Sequence, residues 1–497
     1  MNQLTGTHWT EDSPGYDEER LGFQRLDPHR PAHIVGATSP DDVQRAVRYA
    51  REHHLEIAVK ASGHGHVARL DGGVLITTTR LNEVTVDPQQ RTAWVQAGAT
   101  WQQVIDAAAP HGLAPLSGSF PGVTAVPYTL GGGLGLMARR YGFAADHVRR
   151  IEVVTPDGEL RKAEDDPDLF WALRGGGGNY GVVTAMEIDL FPVPALYGGS
   201  LYYDLTATPG ALEAWRQWTQ TVPDSVTSAV AILPLPNIKP IPEPLRGKYI
   251  AQIQQSNIPE SVGSVGSVGS EESEESEGSE GSEGSEGSVE SGGAGDGRQA
   301  GVSAERRASA DGGASGRGAE RRAAVLVDRL RDALGEPLLD TVGELPFTES
   351  GKIFDEPGRP DAFSSRNALL SDLDPEALAT IPILAGPDAP VMCVVGIRHL
   401  GGALSHKPAT ENAVGHRDAQ YSLTVLSPGE DDLRAFHDKI LAPWSEHVIG
   451  RSLNFSMGPL TDGELQAAFE PADYERLKWL RGVYDPDGML RANHPIT

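Results

Sequence analysis

The residues of this chain best suited to chemistry stand together in Lys60-Ala61-Ser62-Gly63-His64-Gly65-His66, where a short apolar strand runs into small residues that carry two imidazoles. Small side chains permit tight turns, positive φ and the close approach of a ligand, so the N–H groups of such a turn can line an anion, pyrophosphate being the usual guest. His64 lies between two glycines and has little local cover, which leaves its ring free to meet a bound group. The same residues also fit a surface turn with a solvated histidine, and a short motif gains weight only from its surroundings.

Two more glycine clusters supply those surroundings. Residues 117–135 are too rich in Gly, Ser and Pro for one regular element, yet clear structure bounds them on both sides, and long loops inside compact domains are usually functional. Within them Gly133-x-Gly135-x-x-Ala138 fits the dinucleotide fingerprint formally, with residues 151–157 as a following strand that ends in the acid Asp157. That fingerprint needs a clean strand before its first glycine, and Pro127 interrupts it, so a nicotinamide-dependent dehydrogenase is kept as an alternative reading. The third cluster, Arg174-Gly175-Gly176-Gly177-Gly178-Asn179-Tyr180-Gly181, follows a helix over 168–173 and leads into a strand over 182–188.

The elements that must hold these loops follow from periodicity. Residues 32–35 read as a strand, and Ser39-Pro40-Asp41-Asp42 opens a helix to about Glu52 with a capping hydroxyl, a first-turn proline and two acids at the positive dipole end. Val43, Ala46, Val47 and Ala50 recur at helical spacing, so one face packs on a sheet, and the strand over 55–59 delivers the chain to the His64 turn. Alternating β-branched runs at 74–78, 84–86 and 92–96 read as strands, and a helix over about 101–109 follows. Further on, a helical stretch at 323–330 and strand-like runs at 390–398 and 421–426 suit an antiparallel sheet with helices between its strands.

Composition limits what this scaffold can serve. The 497 residues give room for two or three domains, and Lys+Arg 42 against Asp+Glu 69 leaves a net charge of −27, which argues against nucleic acid or an anionic membrane as a main partner. The single cysteine, Cys393, excludes an internal disulfide and any multi-cysteine metal site, and its apolar neighbours mark it as a buried structural thiol, so no metal is expected. Neither a signal-peptide pattern nor a run near the ~18 apolar residues of a membrane span is present, so a cytoplasmic protein is expected. From 256 to 324 the composition collapses to Ser, Gly and Glu with two basic patches; too little apolar surface is available to offset chain entropy, so a disordered insertion in a surface loop is expected.

Taken together, Lys60-Ala61-Ser62-Gly63-His64-Gly65, Tyr128-Thr129-Leu130-Gly131-Gly132-Gly133-Leu134-Gly135, Arg139-Arg140-Tyr141-Gly142, Asp146-His147-Val148, residues 168–184, Tyr484-Asp485-Pro486-Asp487 and Arg491-Ala492-Asn493 resemble the berberine bridge enzyme-like flavoproteins of the vanillyl-alcohol oxidase type. The resemblance implies an α+β protein with an FAD domain in two pieces, 1–200 and 446–497, around a substrate domain over 201–445 built on an antiparallel sheet. It assigns cofactor contacts to Lys60, Ala61, Ser62, Gly63, His64, Gly65, Val123, Tyr128, Thr129, Leu130, Gly131, Gly132, Gly133, Gly178, Asn179, Gly181, Val183 and Asn493, with His64 bonded to the flavin. Many relatives add a second link through a cysteine whose position falls here at Phe120, so a single covalent link is expected. Thr124 and Pro127 stand where relatives tend to carry glycine, and a Cβ or fixed φ there is expected to narrow the site.

The resemblance further implies an oxidase that removes hydride from a hydroxyl-bearing or ring carbon of a natural-product or sugar-like small molecule. Val123 matches the small position of relatives that use O2 as acceptor. Relatives often place a tyrosine base in Tyr-x-Asn-Phe, but this chain reads Ser452-Leu453-Asn454-Phe455. The candidates for catalysis are therefore Ser452 by position and Tyr421, His399 or Tyr203 by chemistry; a reaction without a strong base, and a non-redox relative acting as a binding module, are the alternatives. Nothing in the sequence decides the oligomeric state.

Overall fold

The computed structural model describes residues 4–258 and 305–497. Residues up to Ile258 and from Ala324 onward make one compact unit. Three sheets organise it.

The first sheet carries the His64 turn. Its strands run in the order Thr7–Trp9, His33–Gly36, Val74–Thr77, Ile57–Lys60, antiparallel at the first pair and parallel at the other two. The expected strand–helix–strand unit is present, with strands displaced by one or two residues from the sequence reading. Ser39 caps the helix Pro40–Glu52 by accepting from Asp42 N at 3.2 Å, and Val43, Ala46, Val47 and Ala50 are buried against the sheet. Burying that stripe is what fixes the helix, since an isolated helix of this length is marginal in water. The chain's end returns to this sheet: Ile57 N donates to Met489 O at 2.8 Å and Arg491 N to Ile57 O at 2.7 Å.

A second sheet, antiparallel throughout, has the order Val84–Asp87, Thr92–Gln96, Val182–Asp189, Val148–Val154, Leu160–Lys162. The helix Trp101–Ala108, closed at its start by reciprocal Thr100 and Gln103 hydrogen bonds, packs Trp101, Val104 and Ile105 into the core beside it. Residues 117–135 lie between this helix and the glycine cluster at 175–178. They contain one short helix, Ala125–Leu130, that the Gly/Pro content hid; Pro127 falls in its first turn, where a missing N–H costs nothing.

The third sheet is antiparallel, in the order Leu339–Asp340, Ala195–Asp204, Tyr249–Asn257, Val226–Pro234, Val394–His399, Tyr421–Pro428, Phe363–Leu370, Val448–Gly450, with Gly343–Pro346 also paired to Ala195–Asp204. One face is covered by helix Ala211–Thr219, whose Trp215 Nε1 donates to Ser228 Oγ at 3.0 Å. The other faces the loop 117–135 and the residue after it: Arg398 Nη2 donates to Ser119 Oγ at 3.1 Å and Ser256 Oγ to Leu136 O.

The expected disordered stretch 256–324 needs correction at both ends. Ser256 and Asn257 are buried in the strand Tyr249–Asn257, where cross-strand pairing outweighs their polar composition. The helix Glu305–Leu334 begins well before residue 323. The remainder of that expectation, 259–304, lies outside the described residues.

Candidate functional site

The His64 turn is built by close packing of backbone on backbone. Gly63 has φ +74°, and a Cβ there would stand 2.6 Å from Gly22 Cα, so only glycine lets the two segments touch. Phe23 N then donates to Ser62 O at 2.9 Å and Gln24 N to Gly63 O at 3.1 Å, tying the turn to the N-terminal segment. Phe23 stacks on the His64 ring with centroids 3.9 Å apart, and Phe120 lies 5.4 Å from it, so the residue at the second-link position borders the same imidazole.

His64 is held by a hydrogen-bonded relay. Its Nδ1 is 2.8 Å from Ser62 Oγ, which is 3.2 Å from the hydroxyl of Thr124, the residue just before the short helix. The Thr124 hydroxyl thus supports the serine that orients the histidine. His64 Nε2 is buried without a hydrogen-bond partner. Burial lowers the imidazole's pKa to about 4, so the ring is neutral at ordinary pH. A buried N–H lacking an acceptor costs more than a buried lone pair facing nothing, which puts the proton on Nδ1 and an open lone pair on Nε2.

His66 occupies a different place. Its Nε2 donates to Asp27 O at 2.8 Å and its ring meets His29 edge-on at 4.2 Å. Lys60 is buried on that side of the turn, beside His29, His66 and Gly22, and the nearby carboxylate is that of Glu19. The Lys60 side chain is therefore turned toward this cluster.

The second glycine cluster is shaped by Tyr128. Gly133 has φ +77°, and a Cβ on it would lie 2.6 Å from the Tyr128 ring; one on Gly131 would lie 2.0 Å from the Asn454 side chain. Asn454 Nδ2 donates to Tyr128 O at 3.0 Å, which brings the Ser452–Phe455 segment against this loop. Leu130 O accepts from Gly175 N and Gly177 N, each at 3.0 Å, so the second and third clusters are joined, while Thr129 Oγ1 turns back to Ala125 O. Val123 packs at the edge of the core and holds Trp101 N through its carbonyl at 2.9 Å. Because a helix, not a strand, precedes Gly133, the dinucleotide fingerprint lacks its structural context and the nicotinamide reading is set aside.

In the third cluster, Gly178 has open space around its Cα, whereas Gly181 is pressed on Val153 and Val183 is buried in its strand. Asn179 fastens the C-terminal tail: its amide donates to His494 O and its Oδ1 accepts from Arg481 Nη1 at 2.6 Å and Ile496 N at 3.1 Å. Asn493, exposed, accepts from Val67 N at 3.4 Å just past the His64 turn.

The catalytic candidates separate by strand alternation. His399 pairs with Tyr421, and Arg398 with Ser422, so Arg398 and His399 point to opposite faces. Tyr421 OH lies 2.8 Å from Thr219 Oγ1 on the helix-covered face, and His399 Nε2 lies 3.0 Å from Arg139 Nη1. Tyr203, 1% exposed, donates to Gly335 O at 3.2 Å. All three are thus held away from the face that meets the loops, because neighbouring residues on a strand alternate. Ser452 is on the loop-facing side, with its N–H donated to Asn367 Oδ1 at 2.7 Å. The residue missed was Arg398: alternation sets it opposite His399, but only packing settles which face meets the loops.

Arg398, with 22% of its side chain accessible, and Tyr128 are both partly exposed, so neither lies in a packed core. Tyr128 OH and Ser117 Oγ lack partners, and burial holds the phenol's pKa well above its usual value. Backbone turns, a neutral imidazole with an open nitrogen and unpaired buried hydroxyls fit a large polar cofactor. Among the described residues no cluster of three metal-ligating side chains occurs, and no helix is long and apolar enough to cross a membrane.

Comparison with known proteins agrees with this geometry. Residues 31–164 match the FAD binding domain family. Over 226 residues, 41% of this chain and 39% of the relative, the sequence is 32% identical to berberine bridge enzyme-like C-2 of Nicotiana tabacum. The chain spans about half the length of the first curated relatives it matches. The fold resembles 6-hydroxy-D-nicotine oxidase from Arthrobacter nicotinovorans (TM-score 0.74, 21% identity, 99% of this chain and 98% of that one). It equally resembles the xylooligosaccharide oxidase of Myceliophthora thermophila (TM-score 0.74, 20% identity, 99% and 97%). Residues 31–164 therefore form an FAD binding domain, and the chain as a whole has the fold of the berberine bridge enzyme-like flavoproteins that its motifs resemble.

Proposed function

We propose that this protein is an FAD-dependent oxidoreductase of the oxidase type, taking hydride from a hydroxyl-bearing or ring carbon of a small natural-product or sugar-like molecule, with O2 as acceptor. The reading includes one covalent attachment of FAD, through His64, and a cytoplasmic location. The observation that carries it is His64 itself: a neutral imidazole, clamped by Ser62 and Phe23, with Nε2 buried and unpartnered. The names of relatives, which include nicotine and xylooligosaccharide oxidases, support the substrate range.

In this reading the backbone of 61–65, residues 123–133, 178–183 and Asn493 hold FAD, and the bound flavin supplies a hydride acceptor. The chain's residues orient the substrate and exclude water. Tyr128, with its pKa raised by burial, stays protonated and serves as a hydrogen-bond donor, not a base. Ser452, in the position of the usual tyrosine, has no pKa suited to proton removal, so the substrate is one whose oxidation needs no strong base.

The test is spectroscopic. Purified protein should show two visible flavin bands that stay with the polypeptide after acid precipitation, and turnover in air should release hydrogen peroxide. His64→Ala should release its flavin in acid, whereas His66→Ala should keep it. A colourless protein, or acid-stable flavin in His64→Ala, refutes the assignment; bound flavin without peroxide on any alcohol or amine would make the chain a non-redox relative.

A further inference from the structure

Arg398 is a cation that the oxidase reading leaves unused. Its guanidinium lies between two aromatic faces, 4.8 Å from the Phe354 ring centre and 4.9 Å from that of Phe455. Among the described residues it makes one hydrogen bond, Nη2 to Ser119 Oγ at 3.1 Å, and the nearest carboxylate oxygen, on the half-exposed Glu356, is 3.9 Å away. A guanidinium has five N–H donors in a planar fork, so four here have no protein acceptor.

Among the described residues, Arg451 also has buried nitrogens without a partner, Nε and Nη1, but two other enclosed arginines are satisfied. Arg139 donates to Val226 O, Leu400 O and Asp224, and Arg366 pairs with Asp438 and Glu464. The side chain is 22% exposed, so its open donors face accessible space in which a ligand can take the place of water. Planar bidentate donation of this kind is what recognises a carboxylate. The location also fits a ligand. Ser119 is followed by Phe120, whose ring is 5.4 Å from that of His64, so the guanidinium stands close to the His64 turn, with Phe354 and Phe455 on its two faces.

We propose that Arg398 binds the carboxylate of the substrate, so that the substrate class is a small acid with a planar or apolar body. This rests on the oxidase reading for what happens to the ligand, but the binding step is testable without turnover.

Benzoate and its neutral twin benzamide are titrated calorimetrically into the flavin-bearing protein and its Arg398→Met and Arg398→Lys variants. Flavin content and melting temperature verify folding. Benzoate should bind the unmutated protein at least about tenfold more tightly than benzamide, and Arg398→Met should weaken benzoate roughly ten- to a hundredfold while leaving benzamide unchanged, the range expected for a charged hydrogen bond. Arg398→Lys should fall between, keeping the charge and losing the fork. Equal affinities for benzoate and benzamide in the unmutated protein overturn the proposal, even if Arg398→Met fails to fold. So does unchanged benzoate affinity in Arg398→Met, including the case where only the flavin's midpoint potential moves, which would make the cation a partner of the flavin. A protein that binds benzoate through Arg398 but carries no flavin would sink the oxidase reading and leave this one standing.

Discussion

Removing the hydroxyl of Ser62 should slow attachment of the cofactor without preventing its binding. Ser62 Oγ is 2.8 Å from His64 Nδ1 and is itself steadied by Thr124 Oγ1 at 3.2 Å. In Ser62→Ala the imidazole keeps its stacking on Phe23 but loses the partner that fixes its tautomer and the aim of Nε2. A neutral hydrogen bond contributes about 0.5–1.5 kcal/mol. If that stabilisation is lost at the point where the bond forms, the rate falls roughly two- to thirteenfold. Thr124→Ala removes only the outer link and should have a smaller effect in the same direction. The assay is reconstitution of flavin-free protein with FAD, sampled over time, with acid-stable flavin measured against total bound flavin. Normal binding with slowed acid-stable incorporation is the expected result. Attachment at the unmutated rate in Ser62→Ala would refute the relay, and loss of all flavin binding would mean the serine shapes the turn instead.

Gly63→Ala should cost about 1–3 kcal/mol, since φ is +74° and the new Cβ would meet Gly22 Cα at 2.6 Å; an unchanged melting temperature would contradict the backbone packing described for the turn. Tyr421→Phe should lower stability by about 0.5–1.5 kcal/mol yet leave turnover unchanged. Thr219 Oγ1 donates to Arg216 O at 2.6 Å and keeps that partner when the phenol it accepts from is removed; a large loss of kcat would return Tyr421 to the active site. Burial holds the folded pKa of His437 at about 4 and of His399 at about 3, against 6.5 when free. The unfolded chain therefore binds more protons as pH falls below 6.5, so stability is full above that value and declines beneath it. Melting temperature should drop between pH 7 and 5, before carboxylates titrate, and more shallowly in His437→Asn; a flat profile would count against neutral buried histidines.

Local signals in the sequence were enough for the elements that carry the cofactor turn. Ser39, Pro40 and the Val43–Ala50 stripe specify their helix by capping and periodicity alone, and the small residues around His64 mark a turn because few other residues fit one. The glycine clusters and their order were also legible, since a backbone that must be approached closely tolerates little else. Three things were decided only in three dimensions. The helix Ala125–Leu130 forms within a Gly/Pro-rich stretch because Ala125 and Val126 gain burial that composition does not reveal. Thr124, in sequence merely a bulkier residue in place of glycine, meets Ser62 from 62 residues away and so becomes part of what holds His64. The choice between Arg398 and His399 depends on which face of the sheet the loop 117–135 covers and which the helix Ala211–Thr219 covers. Alternation says that neighbours on a strand point apart; only long-range packing says which of them meets the ligand.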